Sequence, residues 1–388
     1  MPIVFLLTMF LPVVMLPFNI ALYSVEKKNK ALFAFLIAFS MAALAYNFRP
    51  LFFQNTDILR HWSHMENANI MSFEDAADSN TFSGLMGYFA ILKLFSFAES
   101  KYLLQTVITL VGYFICLYVV SKMDDGFDNR VSFLTVFAFL SCISFLGFCS
   151  GIRQYLAFAI FVITFYTETV ENKFRKSAWV VYVLLTTIHT SAVFFIILRI
   201  ICAILSKIAN IRFASFIVLF WGLTQNSVIT FLANTFSGNA FIDKVVELSG
   251  FYEENPSKFI VPAYAWRFVF MIFCTVIVFS LIKNCDQNDL VTKKYLNFAM
   301  LTCMFTFGGF TSYDLFARFS TFSFMIIIPL IPMFFKKMDF RVKGITYLGL
   351  LAFVALVLMY NISQYLTFDF ASLFEILTTN IITFIGAI

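Results

Sequence analysis

This sequence contains few charged residues and no closely paired cysteines. Only 13% of its 388 residues are charged and 61% are apolar, whereas soluble domains carry about 25% charged and about 45–50% apolar residues. The seven cysteines show no CxxC spacing, and neither long polar stretch contains one, which argues against a disulfide framework or a zinc site. The composition predicts an integral membrane protein with one polytopic domain over residues 1–388.

Motifs of nucleotide and hydrolase chemistry are absent as well. The sequence contains no P-loop, Rossmann fingerprint, GxSxG elbow or HExxH motif. The net charge of +5 lies largely in short loops, so it reports membrane orientation and not a nucleic-acid partner. The N-terminal apolar segment has no basic n-region and no small-residue cleavage site, which predicts a retained first helix. We expect no cofactor.

Apolar runs recur along the whole chain and are long enough to cross a membrane, which takes about 17–25 residues. They lie near 3–23, 31–48, 102–120, 131–149, 154–170, 212–234, 263–282, 295–312, 315–335 and 345–366. Basic loops at 26–30, 172–176, 293–294 and 336–343 are expected on the cytoplasmic side. The pattern predicts an all-α polytopic fold with about 10–13 transmembrane helices and with re-entrant segments.

This orientation places two polar stretches, 49–81 and 235–262, outside as external loops. The segment 82–97, which contains two glycines and a lysine, is predicted to be interfacial or re-entrant. As a single helix, 177–205 would be about 44 Å long, so we predict a bend at His189-Thr190-Ser191; one tilted span is the alternative. The apolar segment 371–388 is barely long enough to span, which suggests a place in the interface.

Three arginines at one membrane face predict an anion site. Arg153 opens its span beside Gln154, Arg267 opens the span after the second outer stretch, and Arg318 lies just inside a later one. A guanidinium matches phosphate oxygens bidentately and is less costly to desolvate than an ammonium. One arginine at a helix end can instead snorkel to head groups, but three at one level favour a lipid pyrophosphate. His189 joins them if the bend forms.

The first outer stretch is the best source of a general base. Asp57, His61 and His64 stand at i, i+4 and i+7, so on a helix they share one face. A carboxylate or imidazole there could deprotonate a sugar hydroxyl as it attacks an anomeric carbon. The HxxH spacing could also suggest a metal, but two ligands without a third do not define a site, and we predict none.

Two short motifs resemble those of a known family. At GIRQYLAFAI, followed by a basic turn and then IHTS, the chain resembles the EpsG branch of Wzy-type polysaccharide polymerases. The similarity includes the Asp57 segment, the Arg153-Gln154 pair and Arg318, and covers roughly residues 55–200 plus the Arg318 region. His61 or Trp62 stands where family members often place a tyrosine.

The resemblance implies a glycosyltransferase of the GT-C type in the bacterial cytoplasmic membrane, with its active site facing the periplasm or the outside. It would join undecaprenyl-pyrophosphate-linked oligosaccharide repeat units, without metal or nucleotide, in the synthesis of an O-antigen, capsule or similar polysaccharide. Asp57, His61 and His189 are the candidate catalytic residues. Arg153, Gln154, Arg267 and Arg318 are the candidate pyrophosphate ligands. The expected partners are the lipid-linked substrates, membrane lipid, and the chain-length regulator and flippase of the same pathway.

Two other functions are compatible with the sequence. A lipid-linked oligosaccharide flippase or other transporter also needs cationic residues, but along a cavity reached from both sides, and such proteins often show a two-half repeat that is not visible here. A membrane O-acyltransferase that modifies a surface polysaccharide could use His189 as its base. The gathering of arginines at one face favours the polymerase.

Overall fold

The computed structural model describes residues 1–50, 56–124, 128–208, 213, 215–220, 222–224, 227, 261–285, 289–311, 313–365 and 369–388. These residues form helices and connecting turns with no β-strand among them, apart from one isolated bridge between Phe48 and Phe370. The all-α class predicted from the hydropathy pattern is confirmed. The predicted stretch 235–262 lies almost entirely outside the described residues.

The chain divides into two compact units, Met1–Ile196 with Ile331–Ile388, and Ile197–Leu330. The helices up to the unit boundary are α1 (Pro2–Phe10), α2 (Pro12–Val25), α3 (Lys30–Tyr46), α4 (Asp57–Ile70), α5 (Phe73–Asp78), α6 (Met86–Phe95), α7 (Tyr102–Met123), α8 (Asn129–Cys142), α9 (Phe145–Cys149), α10 (Ile152–Thr169), α11 (Arg175–Thr186) and α12 (Ala192–Ile208), the last of which runs across the boundary. Those that follow are α13 (Val261–Lys283), α14 (Leu290–Gly308), α15 (Tyr313–Ile327), α16 (Ile331–Lys336), α17 (Phe340–Tyr365), α18 (Leu373–Thr378) and α19 (Ile381–Ile385), with short 3-10 turns at Gly309–Thr311 and Ile328–Leu330.

Several of these helices have the length and hydropathy of membrane spans. Among the described residues four qualify by length and composition, namely Tyr102–Met123, Tyr264–Lys283, Leu315–Lys336 and Phe340–Tyr365. Shorter apolar helices of 10–17 residues accompany them. The chain is therefore a polytopic membrane protein, and the exact number of crossings stays a prediction.

Some predicted spans are interrupted. The run 3–23 breaks at Leu11, which has φ −134° and ψ 56°, because the proline that follows disfavours helical backbone at the preceding residue. The run 131–149 breaks at Ile143, and the Ser144 side chain then caps the short helix α9 by accepting a hydrogen bond from the Gly147 N–H. The C-terminal segment is split into α18 and α19, so neither piece is long enough to span.

The core of the first unit is built on α3 and α7, which pack along each other with α2 and α10 against them. A buried ion pair fixes one end of this core: Lys30 Nζ lies 2.7 Å from Asp124 Oδ2 and donates to Ser132 Oγ at 3.1 Å. Both charged side chains are almost fully buried. The beginning of α3 and the end of α7 therefore lie together.

The second unit is a bundle of α13, α14 and α15. Polar contacts cross it within the apolar packing: the Tyr295 hydroxyl donates to the Ile326 carbonyl at 2.8 Å, and Thr306 and Ser323 hydroxyls are 2.9 Å apart. Each of these groups is buried, and a buried polar group is costly unless it is hydrogen-bonded. The contacts fix the register of α14 against α15.

Candidate functional site

The stretch 49–81, which the sequence predicts to be external, is not an irregular loop, because most of its described part folds into α4 and α5. Helix α4 is amphipathic, with Ile58, His61 and Trp62 buried and Asp57 and Arg60 exposed. The Ile58 N–H donates to Ser150 Oγ at 3.1 Å. Since Ser150 lies two residues before α10 begins at Ile152, this bond places the start of α4 beside the start of the helix that presents Arg153.

Helix α6 docks on the break between α11 and α12. The break lies at 187–191, where the bend was predicted. The Tyr88 N–H donates to the Thr187 carbonyl at 3.1 Å, and a Cβ added at Gly87 would lie only 2.4 Å from Thr187 Oγ1. Glycine is therefore required for this close approach. Ten residues make α6 about 15 Å long, too short to cross a bilayer, which agrees with the predicted re-entrant or interfacial segment.

The Tyr88 hydroxyl is the centre of the site. It lies 2.5 Å from His61 Nδ1 and 3.2 Å from His64 Nδ1. A phenol has one proton to donate, so it donates to one imidazole and accepts from the other. We assign the shorter contact as Tyr88 O–H donating to His61 Nδ1, and the longer as His64 Nδ1–H donating to the tyrosine oxygen. In that tautomer His64 Nε2 has an unprotonated lone pair.

Arg153 covers the same tyrosine from α10. Its guanidinium carbon lies 4.7 Å from the centre of the Tyr88 ring, a distance at which a cation is attracted to the face of an aromatic ring. The Arg153 side chain is half-buried. Its neighbour Gln154 is buried, and its Nε2 has no hydrogen-bond partner among the described residues. No described contact joins Gln154 to the histidines.

His189 lies in the turn before α12. Its Nδ1 accepts a hydrogen bond from the Ser191 backbone N–H at 3.1 Å and lies 2.6 Å from Ser191 Oγ. Because Nδ1 accepts, the proton of the neutral ring is on Nε2. This tautomer makes His189 a hydrogen-bond donor at Nε2, which suits contact with an anion better than removal of a proton.

Electrostatics shows that these groups share one site. Burial lowers the pKa of His61 well below its usual value, and the charge of Arg153, then Arg60, His64 and His189, lowers it further. Burial, followed by the charges of Arg153 and Arg60, also lowers the pKa of His64. Both imidazoles are thus neutral at pH 7. His64 and His189 therefore both lie within electrostatic range of His61, although His189 comes from a turn more than a hundred residues after α4.

Asp57 is close to this group but faces solvent. Its carboxylate pairs with Arg60 at 2.9 Å, and about half of each side chain is exposed. It lies within electrostatic range of Tyr88. The predicted shared face of Asp57, His61 and His64 is therefore present, with Asp57 at its solvent end, His64 half-buried and His61 fully buried.

The other two predicted arginines belong to the second unit. Arg267 Nη1 donates to the Ala317 carbonyl at 3.1 Å, to Thr321 Oγ1 at 2.9 Å and to Ser320 Oγ at 3.3 Å. This guanidinium nitrogen thus joins α13 to α15. Arg318, the residue after Ala317, is half-buried on α15.

One feature of the site, the part played by Tyr88, was not predicted. Tyr88 lies 27 residues from His61 in the sequence, and no local pattern links the two; the only signal was the glycine beside it in a short apolar segment.

Within the described part of the chain, no three histidine, cysteine or acidic side chains are grouped as metal ligands would be. What the site offers is a cation, two neutral imidazoles and a hydroxyl between them.

Comparison with known proteins gave one match. The EpsG family model matches residues 53–374, which covers most of the chain, takes in residues of both units and contains all of the site residues described above. Curated proteins and solved structures gave no significant match.

Proposed function

The chain belongs to the EpsG family, and we propose that it is a polysaccharide polymerase, a membrane glycosyltransferase that joins lipid-pyrophosphate-linked oligosaccharide repeat units. The undecaprenyl pyrophosphate donor and the acceptor would meet at the outer face of the bacterial cytoplasmic membrane. The observation that supports this most directly is the convergence of Arg153, His61 and His64 on Tyr88, with His189 within electrostatic range of His61. It combines an anion ligand with a proton acceptor, which are the two elements that glycosyl transfer from a pyrophosphate requires.

Arg153 is assigned to the leaving group. A pyrophosphate leaving from an anomeric carbon gains negative charge in the transition state, and a preorganised cation at that point lowers the barrier. The half-buried position strengthens the interaction relative to that of an exposed arginine. His189, with its Nε2 proton set by Ser191, is assigned as a second donor to the pyrophosphate oxygens.

The base is assigned to His64 Nε2. His61 is 1% exposed and cannot face a sugar, whereas His64 is half-buried. When His64 Nε2 accepts a proton, the ring becomes positively charged and its Nδ1–H bond to Tyr88 is strengthened. Tyr88 is held in turn by His61. His64 is thus the base, Tyr88 orients His64, and the buried His61 orients Tyr88.

The proposed reaction has the following balance. A hydroxyl of the acceptor sugar loses its proton to His64 Nε2 as its oxygen attacks the anomeric carbon of the donor. The new C–O bond forms while the bond from that carbon to the pyrophosphate oxygen breaks, and the electron pair leaves with the lipid pyrophosphate. The donor bond supplies the free energy, so no nucleotide is required. Arg153 stabilises the departing anion.

The remaining predicted residues keep secondary roles in the proposal. Asp57 is the alternative base, because it lies at the solvent end of the same helix face. Arg318 is proposed as a further pyrophosphate ligand, as is Gln154 through its buried amide. The contacts of Arg267 with α15 favour a structural role for its Nη1. A chain-length regulator and a flippase remain the proposed protein partners.

Substitution of Arg153 tests the proposal. In a strain that depends on this protein for polymer, Arg153→Lys keeps the charge but loses the planar fork, and polymer synthesis should fall at least about tenfold, or about 1.4 kcal/mol. The matched control is Arg175→Ala, since Arg175 is an exposed arginine beyond the other end of α10. Normal polymer length and yield from a well-expressed Arg153→Ala protein would remove Arg153 from the mechanism.

The same strain distinguishes a polymerase from a transporter. Losing a leaving-group ligand blocks bond formation but not movement of the lipid, so Arg153→Ala cells should present single repeat units at the outer face. Lectin labelling of intact cells and gel analysis of the lipid-linked pool measure this. Repeat units trapped on the inner leaflet would instead identify a flippase.

A further inference from the structure

A groove of about 620 Å³ lies where the beginning of α8 meets the beginning of α17. Its rim contains Arg130 from α8 and Arg341 and Lys343 from α17. It is separated from the proposed active site by the length of α8, because Ser150 and Arg153 follow the far end of that helix. Fourteen residues make α8 about 21 Å long. The groove is therefore outside the site described above.

The three cations of the groove form no ion pair with the residues that the structure describes. No carboxylate lies within 4 Å of the Arg130, Arg341 or Lys343 side chains in the described part of the chain. The carboxylate of Asp128, which also lines the groove, accepts a hydrogen bond from the Arg130 backbone N–H at 3.0 Å and caps α8. This carboxylate therefore caps the helix and is not paired with a cation of the rim. Three cations and one carboxylate give the rim a net positive charge.

The floor of the groove is apolar and uncovered. Ile345 is 77% exposed and Leu348 is 65% exposed, and both line the groove. Tyr347 also lines the groove and is within electrostatic range of Arg130. A water-soluble anion would occupy the cationic rim and leave these side chains exposed. An anion that also carries a hydrocarbon chain would cover them.

Position in the membrane favours a lipid. Two of the three rim cations, Arg341 and Lys343, belong to the basic segment 336–343, which the charge distribution predicts at the cytoplasmic boundary, where α17 enters the apolar region. The cytoplasmic leaflet is enriched in anionic lipids, and basic groups near its surface attract them. Below the rim α17 buries few residues, among them Leu350 and Val354, so an acyl chain has an open helix face to follow.

We propose that this groove binds an anionic glycerophospholipid of the cytoplasmic leaflet. The phosphate lies among Arg130, Arg341 and Lys343, and one acyl chain runs past Ile345 and Leu348. Such a lipid holds the beginning of α17 against α8. The site does not depend on the proposed polymerase function.

Lipid binding to the full-length protein tests this. The detergent-purified protein is titrated with phosphatidylglycerol or with phosphatidylcholine of the same chain length, and bound lipid is counted by native mass spectrometry. The wild-type protein should prefer phosphatidylglycerol at least about tenfold. Each of Arg130→Gln, Arg341→Gln and Lys343→Gln should reduce that preference by up to about fivefold, which corresponds to about 1 kcal/mol for each cation near a lipid surface.

A matched triple variant controls for net charge. Lys173→Gln/Arg175→Gln/Lys176→Gln removes the same three charges from another exposed basic turn, whereas Arg130→Gln/Arg341→Gln/Lys343→Gln empties the groove. Only the second should lose the preference. Equal loss in both, or no preference in the wild-type protein, would overturn the proposal. If the triple groove variant does not fold, the three single variants test the proposal through the same ratio of phosphatidylglycerol binding to phosphatidylcholine binding.

The apolar part of the site has its own test. Leu348→Asn should weaken binding of both lipids without removing the preference for phosphatidylglycerol. Glycerol phosphate, which has the head group charge but no acyl chain, should not displace bound phosphatidylglycerol at millimolar concentration. Displacement would identify a site for soluble phosphates and reject the lipid.

Discussion

Replacement of Tyr88 by phenylalanine removes one oxygen atom at the centre of the candidate site. The ring remains, so Arg153 keeps the aromatic face that lies 4.7 Å from its guanidinium carbon. The hydroxyl contacts with His61 at 2.5 Å and His64 at 3.2 Å are lost. Tyr88→Phe therefore separates the orientation of the base from the binding of the anion.

The structure sets the expected magnitude. His61 is 1% exposed, so its Nδ1 would be buried without a donor, which costs about 1–3 kcal/mol of folding free energy. His64 would lose the bond that fixes its tautomer and its ring orientation. Positioned general-base catalysis contributes about 10²–10⁴-fold, and we expect kcat to fall about 100-fold, or about 2.7 kcal/mol. KM should change little, because Arg153 and its ring contact are retained.

The assay is polymer formation by the purified full-length protein from a lipid-pyrophosphate-linked repeat unit, with products resolved by length. Tyr102→Phe is the matched control, because Tyr102 is a partly buried tyrosine near the same end of the first unit. No described residue is hydrogen-bonded to its hydroxyl, so this control should retain full activity. Thermal unfolding in detergent should show a lower Tm for Tyr88→Phe only.

Two results would refute this reasoning. If Tyr88→Phe polymerises at the wild-type rate, the hydroxyl has no part in holding the base. If the KM of Tyr88→Phe rises while its kcat is unchanged, Tyr88 acts in substrate binding. The proposal that His61 orients His64 through the Tyr88 hydroxyl is then wrong. A parallel comparison of His64→Gln with Asp57→Asn then shows which of the two side chains removes the proton.

Three further predictions use other parts of the structure. Burial and nearby cations lower the pKa of His64 below its ordinary value of 6.5, so kcat/KM should be at its maximum at pH 7 and should fall as the pH drops through the lowered pKa of His64. Arg153→Gln removes one of these cations, which should raise the pKa of His64 and move the loss of activity to higher pH. An unchanged pH profile would contradict the assignment of His64 as the base. In a cysteine-free background, a cysteine at Asp75 should react with an impermeant thiol reagent on intact cells, and one at Lys337 only after permeabilisation; the reverse would invert the proposed orientation. Asp124→Asn leaves its buried lysine partner uncompensated and should cost about 3–5 kcal/mol of folding free energy, measured as loss of Tm, whereas replacing both partners by apolar residues should restore most of it.

Much of the local structure could be predicted from the sequence. The bend at His189 followed from length alone, because a helix over 177–205 exceeds the thickness of the bilayer core. The short segment that became α6 was recognised by its glycines and its lysine. Where predictions of continuous spans were wrong, as at Leu11 and Ile143, the cause was local backbone chemistry that a hydropathy window averages out.

The candidate site shows where sequence reasoning ends. Hydropathy and charge selected Arg153 and His189, and helical spacing placed His61 and His64 on one face, because each of these signals lies within a few turns of chain. Tyr88 was not selected, since its role depends on α6 docking at Thr187, a contact between segments about a hundred residues apart.

The sequence by itself determined the membrane class, the helical content and the residues that are costly to bury, because these follow from composition and from periodicity within a single segment. Only the tertiary structure decided that His61 is inaccessible, that His64 is neutral and partly open, and that one tyrosine hydroxyl joins them. Burial, tautomer and hydrogen-bond partner are properties of the packed arrangement of α4, α6 and α10. No single segment contains them.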